Sequence, residues 1–254
     1  MSIVFTGLNS NLYRNFSTNF LKDCEDYRNE GLVLIGFKSP REPLENTLEL
    51  YNENLFRLSK DLNELCTSRT QVIVLFSAIS VYGNNWDGRG TQANPNPGDH
   101  YSLAKLEAER LVEAHCRNYN IRHYIFRLPG IYANGSSRNF ISRVRDCIRE
   151  REEFIVSKIT HQFNNFTTID QVEHLLLKVL KVRPNQHIFN LGASIPVSIK
   201  ELITIFESRF NTKARFCVDE SIAERIIDTY EIDSLLGRKY DAKSMLKSID
   251  YPTG

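Results

Sequence analysis

Gln71-Val-Ile-Val-Leu-Phe-Ser77 is a continuous apolar run that follows Thr70 and passes into Phe76-Ser-Ala-Ile-Ser-Val-Tyr-Gly83, a strand end and small-residue loop. An unbroken run of this length reads as a strand buried on both faces, the kind found in parallel sheets. A second such run, Ile121 to Arg127, is stopped by Pro129-Gly130. Between them a helix is predicted from Asp99, a good N-cap after Pro97-Gly98, to about Tyr119, with Leu103, Leu106, Leu111, Val112 and Ala114 as its apolar face. Strand, helix and strand in this order make a parallel crossover unit, and in open α/β sheets ligands lie beyond the carboxyl ends of the strands.

That helix carries Tyr101-Ser-Leu-Ala-Lys105. Side chains four positions apart share a helix face, so the lysine ammonium comes within reach of the phenol. A free phenol loses its proton near pH ~10, and a neighbouring cation favours the phenolate, drawing that value toward the range useful for proton transfer. On spacing alone the alternative is a solvated helix face.

Taken together, FSAISVYG at 76–83, YSLAK at 101–105 and RLPGIY at 127–132 resemble the core of the extended short-chain dehydrogenase/reductase family, the NAD-dependent epimerase/dehydratase group that modifies nucleotide sugars. Phe163-Asn-Asn-Phe-Thr-Thr-Ile-Asp170-Gln-Val, and His187-Ile-Phe-Asn-Leu-Gly192 with Ile195-Pro-Val-Ser-Ile-Lys-Glu-Leu, are similar to later segments of that family, in the same order. The resemblance implies a Rossmann-like doubly wound parallel sheet with a smaller C-terminal substrate lobe. It divides the chain into a cofactor core, about 1–132 with parts of 160–192, and a substrate lobe, about 133–160 and 193–254, within one unit. Tyr101 would be the general acid/base, and Lys105 would lower the tyrosine pKa and hold the cofactor ribose. Phe76, Ser77 and Pro129 would line the nicotinamide crevice with Asn54, and Ser77 is also a catalytic candidate. Thr6, Gly7, Asn9, Ser10 and Leu12 would contact the cofactor, NAD or NADP. The implied partners are a nucleotide-sugar substrate and a second copy of the chain, a homodimer packed through the YSLAK helix and the helix before it.

The chain departs from the family pattern in four places. Ala78 stands where the family usually keeps a catalytic Ser or Thr, and a methyl group donates no hydrogen bond. Ser77 and Ser80 flank it; either one takes over that role or both satisfy loop backbone groups, and alternation along the strand points Ser77 away from the face of Ala78. After Ser2-Ile-Val-Phe-Thr-Gly7, the next two glycines of a dinucleotide turn are replaced by Ser10 and Tyr13, which puts the grip on pyrophosphate in doubt. The run Gly31 to Gly36 and the helix after it resemble the family's fourth strand and helix better than its second, so two strands with their crossovers are missing between Asp23 and Gly31. On the other alignment Lys38 or Arg41 would read as an NADP selector, against a solvated loop cation. Asn164 occupies the place of an arginine that grips the nucleotide diphosphate, for which Arg138, Arg143 and Arg145 are substitutes or else a solvated helix face.

Composition narrows the class further. The 254 residues carry 41% hydrophobic content, enough for a large α/β core, and a net charge of +1 with no basic stripe, so nucleic acid is not expected. Five cysteines scattered singly, and six histidines without ligand spacing, predict reduced thiols in a cytoplasmic protein with no metal site. No apolar stretch approaches the ~20 residues of a membrane span. Toward the end of the chain the pattern predicts a helix over 201–210, a strand over 214–218, a helical stretch over 219–236 and a last surface helix from Asp241. The family resemblance and the departures from it imply two functional classes: an oxidoreductase or epimerase using the Tyr101/Lys105 couple, with reduction of a 4-keto sugar ahead of epimerisation, or a degenerate relative that keeps the fold as a binding or partner subunit.

Overall fold

The computed structural model describes residues 4–6, 11–25, 27, 31–37, 43–65, 69–83, 90–133 and 139–248. Its centre is a sheet of five parallel strands in the order β1 (Val4–Thr6), β2 (Leu32–Ile35), β3 (Val72–Ala78), β4 (Arg122–Leu128) and β9 (Ile188–Asn190). Every residue of β2 and β3 is buried, as their unbroken apolar runs require of strands covered on both faces.

Strand alternation sorts the core into two layers. Leu32, Leu34, Val72, Val74, Phe76, Phe126 and Phe189 face α1 (Asn11–Asn15), α2 (Thr18–Glu25) and α6 (Ile169–Val182), through Phe16, Phe20, Val172 and Leu176. Val33, Ile35, Ile73, Leu75 and Ile125 face α3 (Leu48–Leu65) and α4 (His100–Tyr119), through Leu58, Leu62, Ala104, Ala108 and Val112.

Strand order decides between the two alignments of the amino-terminal part. In a doubly wound order 3-2-1-4-5-6, a retained second strand would leave β1 between its neighbours. Instead β2 lies between β1 and β3, the arrangement left when the second and third strands are removed. The removal has a topological consequence. The connections β1 to β2 and β2 to β3 step the same way across the sheet yet pass over opposite faces, so they have opposite hands and one is left-handed, against the strong right-handed preference.

The single first helix expected near 12–23 is broken. α1 ends at Asn15, and Ser17 opens α2, its Oγ accepting from the Phe20 N–H (3.0 Å) while its own N–H donates to Glu173 Oε1 (2.5 Å). Tyr13, in place of glycine, lays its ring edge-on against Phe5 at 4.7 Å between centroids. The bulky side chain is accommodated by this early break and a local aromatic contact.

α4 begins as expected, with the Asp99 side chain accepting from the Ser102 N–H at 2.7 Å, and ends at Tyr119 with Asn120 left-handed. Its buried face matches the apolar reading in part: Leu106 and Val112 are buried as expected. Ala104, Lys105, Ala108, Glu109, Val112 and Cys116 turn inward, whereas Leu103, Leu111 and Ala114 are exposed. Small residues permit close approach to the sheet; of the two charged ones, Glu109 is paired with Arg127 and Lys105 donates to the Phe76 carbonyl.

A second core gathers around α5 (Phe140–Glu150), α7 (Ile199–Phe210) and α9 (Ala242–Ser248), with Tyr132, Ile141, Val144, Phe166, Leu202, Phe206 and Leu246 at its centre. Around it lie the two-strand pairs β6 (Glu153–Val156) with β11 (Arg215–Val218), and β7 (Gln162–Phe163) with β10 (Val197–Ser198). β5 (Gly130–Ile131) and β8 (Phe166–Thr167) pair just beyond β4. The stretch 219–229 is not helical; α8 covers only Tyr230–Leu236, because Asn164 fixes the backbone at Ile227. α9 is not purely a surface helix, since Ala242, Met245 and Leu246 are buried. Cys24, Cys116, Cys147 and Cys217 are free thiols, and among the described residues no helix is long and apolar enough to cross a membrane.

Candidate active site

β3 and β4 end side by side, Ala78 opposite Leu128, and α4 begins close to that end, its first turn tied to the loop before α3 by the Tyr101 N–H donating to Asn46 Oδ1 (2.7 Å). Tyr101 is half-buried. One turn along, Lys105 is 4% exposed and its Nζ donates to the Phe76 carbonyl at 2.7 Å. The same ammonium lies 4.5 Å from the centroid of the Phe37 ring and 5.5 Å from that of Tyr101. Burial lowers the Lys105 pKa to about 7, the Glu109 carboxylate opposing that fall. Near neutrality both protonation states of this amine are therefore populated, and it stands against the ring of the tyrosine that shares its helix face.

Behind the pair is a buried polar chain that crosses the sheet from strand to strand. Ser77 Oγ donates to Glu109 Oε1 at 2.5 Å; Arg127 grips the same carboxylate with two hydrogen bonds, Nε to Oε1 at 3.1 Å and Nη2 to Oε2 at 2.7 Å. Arg127 Nη1 donates to Tyr82 Oη at 2.6 Å, and Tyr82 Oη donates to Asn190 Oδ1 at 2.8 Å. Burial alone would lower the Arg127 pKa, but the hydrogen bonds and charge of Glu109 and Tyr82 hold it above its usual value. A carboxylate shared by a bidentate arginine and a lysine one turn away leaves the lysine undercompensated, which is why desolvation dominates at Lys105.

The expected site residues take different places. Ser77 faces α4 and its hydroxyl is engaged by Glu109, while Ala78 belongs to the opposite strand face, as alternation required. Ser80 Oγ is buried with no hydrogen-bond partner among the described residues. Phe76 turns its ring into the core, 6.0 Å from Phe126, and contributes its carbonyl to Lys105. Pro129 is buried directly after β4 and Asn54 is buried on α3. Thr6 Oγ1 accepts from the Gly36 N–H at 3.4 Å, joining the ends of β1 and β2, and Leu12 packs in the core beside Phe16. Gly7, Asn9, Ser10, Lys38, Arg41 and Arg138 lie outside the described residues.

The phosphate-grip candidates are also spoken for. Asn164 is 1% exposed, its Nδ2 donating to the carbonyls of Ala193 (2.9 Å) and Ile227 (2.8 Å) and its Oδ1 accepting from the Ile227 N–H (2.8 Å). It pins two loops of the smaller lobe. Arg145 is buried and paired with Asp146 at 2.6 Å, so it is no solvated cation, whereas Arg143 is exposed above the Phe140 ring. A cavity of about 750 Å³ opens beside Asn164, lined by Ser194, Ile227, Tyr230, Asp233 and Arg238; Tyr101 and Lys105 are not part of it.

Sequence reading missed Glu109, Arg127 and Tyr82. The available signal was an arginine inside an apolar strand, which demands a buried acid, and a glutamate one turn beyond Lys105 on the same face.

Solved structures share this architecture. RMD from Pseudomonas aeruginosa, complexed with NADPH, is similar with a TM-score of 0.74 at 16% identity, over 98% of each chain. UDP-glucuronic acid 4-epimerase from Bacillus cereus, in complex with NAD, is similar with a TM-score of 0.69 at 18% identity, over 91% of this chain and 74% of that one. UDP-glucose 4-epimerase from Thermotoga maritima, with UDP-glucose, is similar with a TM-score of 0.68 at 13% identity, over 94% of each. No curated protein matches the chain by sequence at a significant level. The model of the NAD dependent epimerase/dehydratase family matches residues 33–192, from β2 to just past β9 and more than half of the 254 residues, and the chain belongs to that family.

Proposed function

We propose that the chain is an NAD(P)-dependent oxidoreductase or epimerase of a nucleotide-activated sugar, with Tyr101 as general acid/base and Lys105 as the cation that activates it. The observation that carries this reading is the Lys105 ammonium, fixed on the Phe76 carbonyl at the carboxyl end of β3 and 5.5 Å from the Tyr101 ring centroid. Bound NAD(P) would supply or accept the hydride. Tyr101 Oη would give its proton to a sugar keto oxygen, or take one from the hydroxyl, and Lys105 would stabilise the phenolate left behind.

On the nicotinamide side Lys105 would hold the ribose, while Phe76, whose ring lies in the core, and the buried Pro129 and Asn54 would back the crevice rather than line it with exposed side chains. The adenosine side is thinner, because a doubly wound fold builds that half on the second and third strands, which are absent from the sheet among the described residues. Weak retention of the cofactor favours 4-keto reduction over epimerisation, which must hold it through a full cycle. RMD's complex with NADPH and the neighbouring epimerases' complexes with NAD and UDP-glucose support the cofactor and substrate class. We place the cofactor core at about 1–132 with parts of 160–192 and the substrate lobe at about 133–160 and 193–254, in a cytoplasmic homodimer. The second reading, a non-catalytic binding protein of the same fold, is favoured by the loss of a hydroxyl at Ala78 while that of Ser77 is held by Glu109.

Titration with NADH and NADPH, followed by fluorescence and thermal shift, separates the two. A saturable response supports the enzyme; none at millimolar cofactor leaves the binding protein.

A further inference from the structure

We propose that Glu113, His123 and His187 form a binding site for a divalent transition-metal ion of the zinc class at the amino end of the sheet. The three side chains come from three elements: Glu113 from the third turn of α4 beyond Tyr101, His123 from the start of β4, and His187 from the residue before β9. One ligand atom from each lies within 4.8 Å of the other two. His187 Nε2 is 3.9 Å from Glu113 Oε1, and the two imidazole rings are 5.1 Å apart between centroids. Since α4 returns antiparallel to the strands it joins, this cluster lies at the opposite end of the helix from Tyr101, about 18 Å away along the axis for twelve residues. It is separate from the candidate active site.

The donor set is specific in kind. Two imidazoles and a carboxylate suit zinc, cobalt or nickel and are poor partners for magnesium or calcium, which prefer oxygen alone. Three protein ligands leave a fourth position for water. Donors of a tetrahedral site with bonds of ~2.1 Å stand roughly 3.4 Å apart, so the 3.9 Å pair must contract by about 0.5 Å and the widest spacing by up to about 1.4 Å. Glu113 and His187 keep partly exposed side chains and can close by rotamer adjustment.

A second observation points to a ligand. His123 Nε2 is buried and has no hydrogen-bond partner among the described residues. A buried ring nitrogen is ordinarily satisfied, and a metal ion or a water on that ion would satisfy the cluster. The nearby cation, Arg117, is exposed, so solvent screens its charge. Bound metal would tie the start of β4 and β9 to the end of α4.

The test uses untagged full-length protein stripped with chelator, titrated with Co2+ and observed by visible absorbance. The expected result is one equivalent bound, d–d bands without a thiolate charge-transfer band, displacement by Zn2+, and a raised thermal midpoint that Mg2+ does not reproduce. His187→Ala and Glu113→Gln, at partly exposed positions that should keep the fold by circular dichroism, should each weaken binding by about tenfold or more. Absence of binding at 100-fold excess metal overturns the proposal. So does binding whose affinity neither substitution changes, or a thiolate band, which would assign the metal to a cysteine such as the exposed Cys217.

Discussion

The Lys105 ammonium nitrogen sits 2.7 Å from the Phe76 carbonyl oxygen, so a helix charge is anchored directly to the end of the neighbouring strand. The anchoring fixes the lysine but does not compensate its burial, and its pKa falls to about 7. The unfolded chain keeps this lysine protonated up to its usual 10.5. Between these values the unfolded state binds more protons than the folded state, so this residue makes stability rise with pH from about 7 to 10.5, by up to about 1.4 kcal/mol per pH unit. Below pH 7 both states are protonated and the slope vanishes. Urea denaturation at pH 7, 8 and 9 should show this slope in the wild type and its loss in Lys105→Met; equal slopes in both would refute the buried amine.

Tyr101→Phe removes one hydroxyl from a half-buried residue whose backbone N–H remains held by Asn46. If Tyr101 is the proton donor, turnover of a 4-keto or 4-hydroxy nucleotide sugar should fall by about 10²- to 10⁴-fold, with thermal midpoint and NADH affinity little changed. Turnover that survives the substitution would place the donor elsewhere.

Glu109 is predicted to be worth more to stability than its position on a surface-style helix pattern implies. Glu109→Ala strands Arg127, 3% exposed, without its bidentate partner, and should destabilise the fold by about 3–5 kcal/mol. Glu109→Leu combined with Arg127→Met should recover most of that loss, since an apolar pair replaces a desolvated ion pair. A double-mutant cycle in urea, read as coupling between the two positions, checks it; additive single effects would show that the pair is not acting as a unit.

The missing strands give a ligand prediction of their own. With β1 the only strand on the adenosine side among the described residues, reduced nicotinamide mononucleotide and NADH should bind within about tenfold of each other, a coupling difference of ~1.4 kcal/mol. Calorimetry on both ligands measures it. A preference for NADH of a thousandfold would mean that the adenosine is held by residues other than those of the lost strands.

The parts of the fold that could be read from sequence are those whose burial pattern is one-dimensional. The unbroken runs at 32–35 and 72–78 announce central parallel strands because both of their faces are covered, and Asp99 announces a helix start because its side chain alone can cap it. The better match of the 31–36 run to a fourth strand than to a second carried the strand order as well. What could not be read was anything set by side chains distant in sequence. Glu109, Arg127 and Tyr82 meet only because α4 lies on β3 and β4, and Glu113, His123 and His187 show no ligand spacing because α4, β4 and the residue before β9 each bring one member. The full inward face of α4 is hidden for a related reason: alanines pack closely on the sheet, Lys105 is held by the Phe76 carbonyl and Glu109 by Arg127, so these turn inward with Leu106 while Leu103 and Leu111 stay outside.

Those outward leucines lead to a last prediction. Leu103 and Leu111 on α4 and Phe56 on α3 are 37%, 40% and 76% exposed, and α3 and α4 pack side by side on one face of the sheet. Large apolar side chains on two adjoining helices form the kind of surface that a second copy covers in a two-fold arrangement. In a two-fold interface every contact occurs twice, so one substitution acts twice. Phe56→Glu combined with Leu111→Glu would place four carboxylates in that interface, two from each copy, and light scattering should show the wild type as a dimer and the variant as a monomer of 29.4 kDa. Because both positions are exposed in the single chain, the variant should keep its fold; a dimer that survives both substitutions would have to be built on another face.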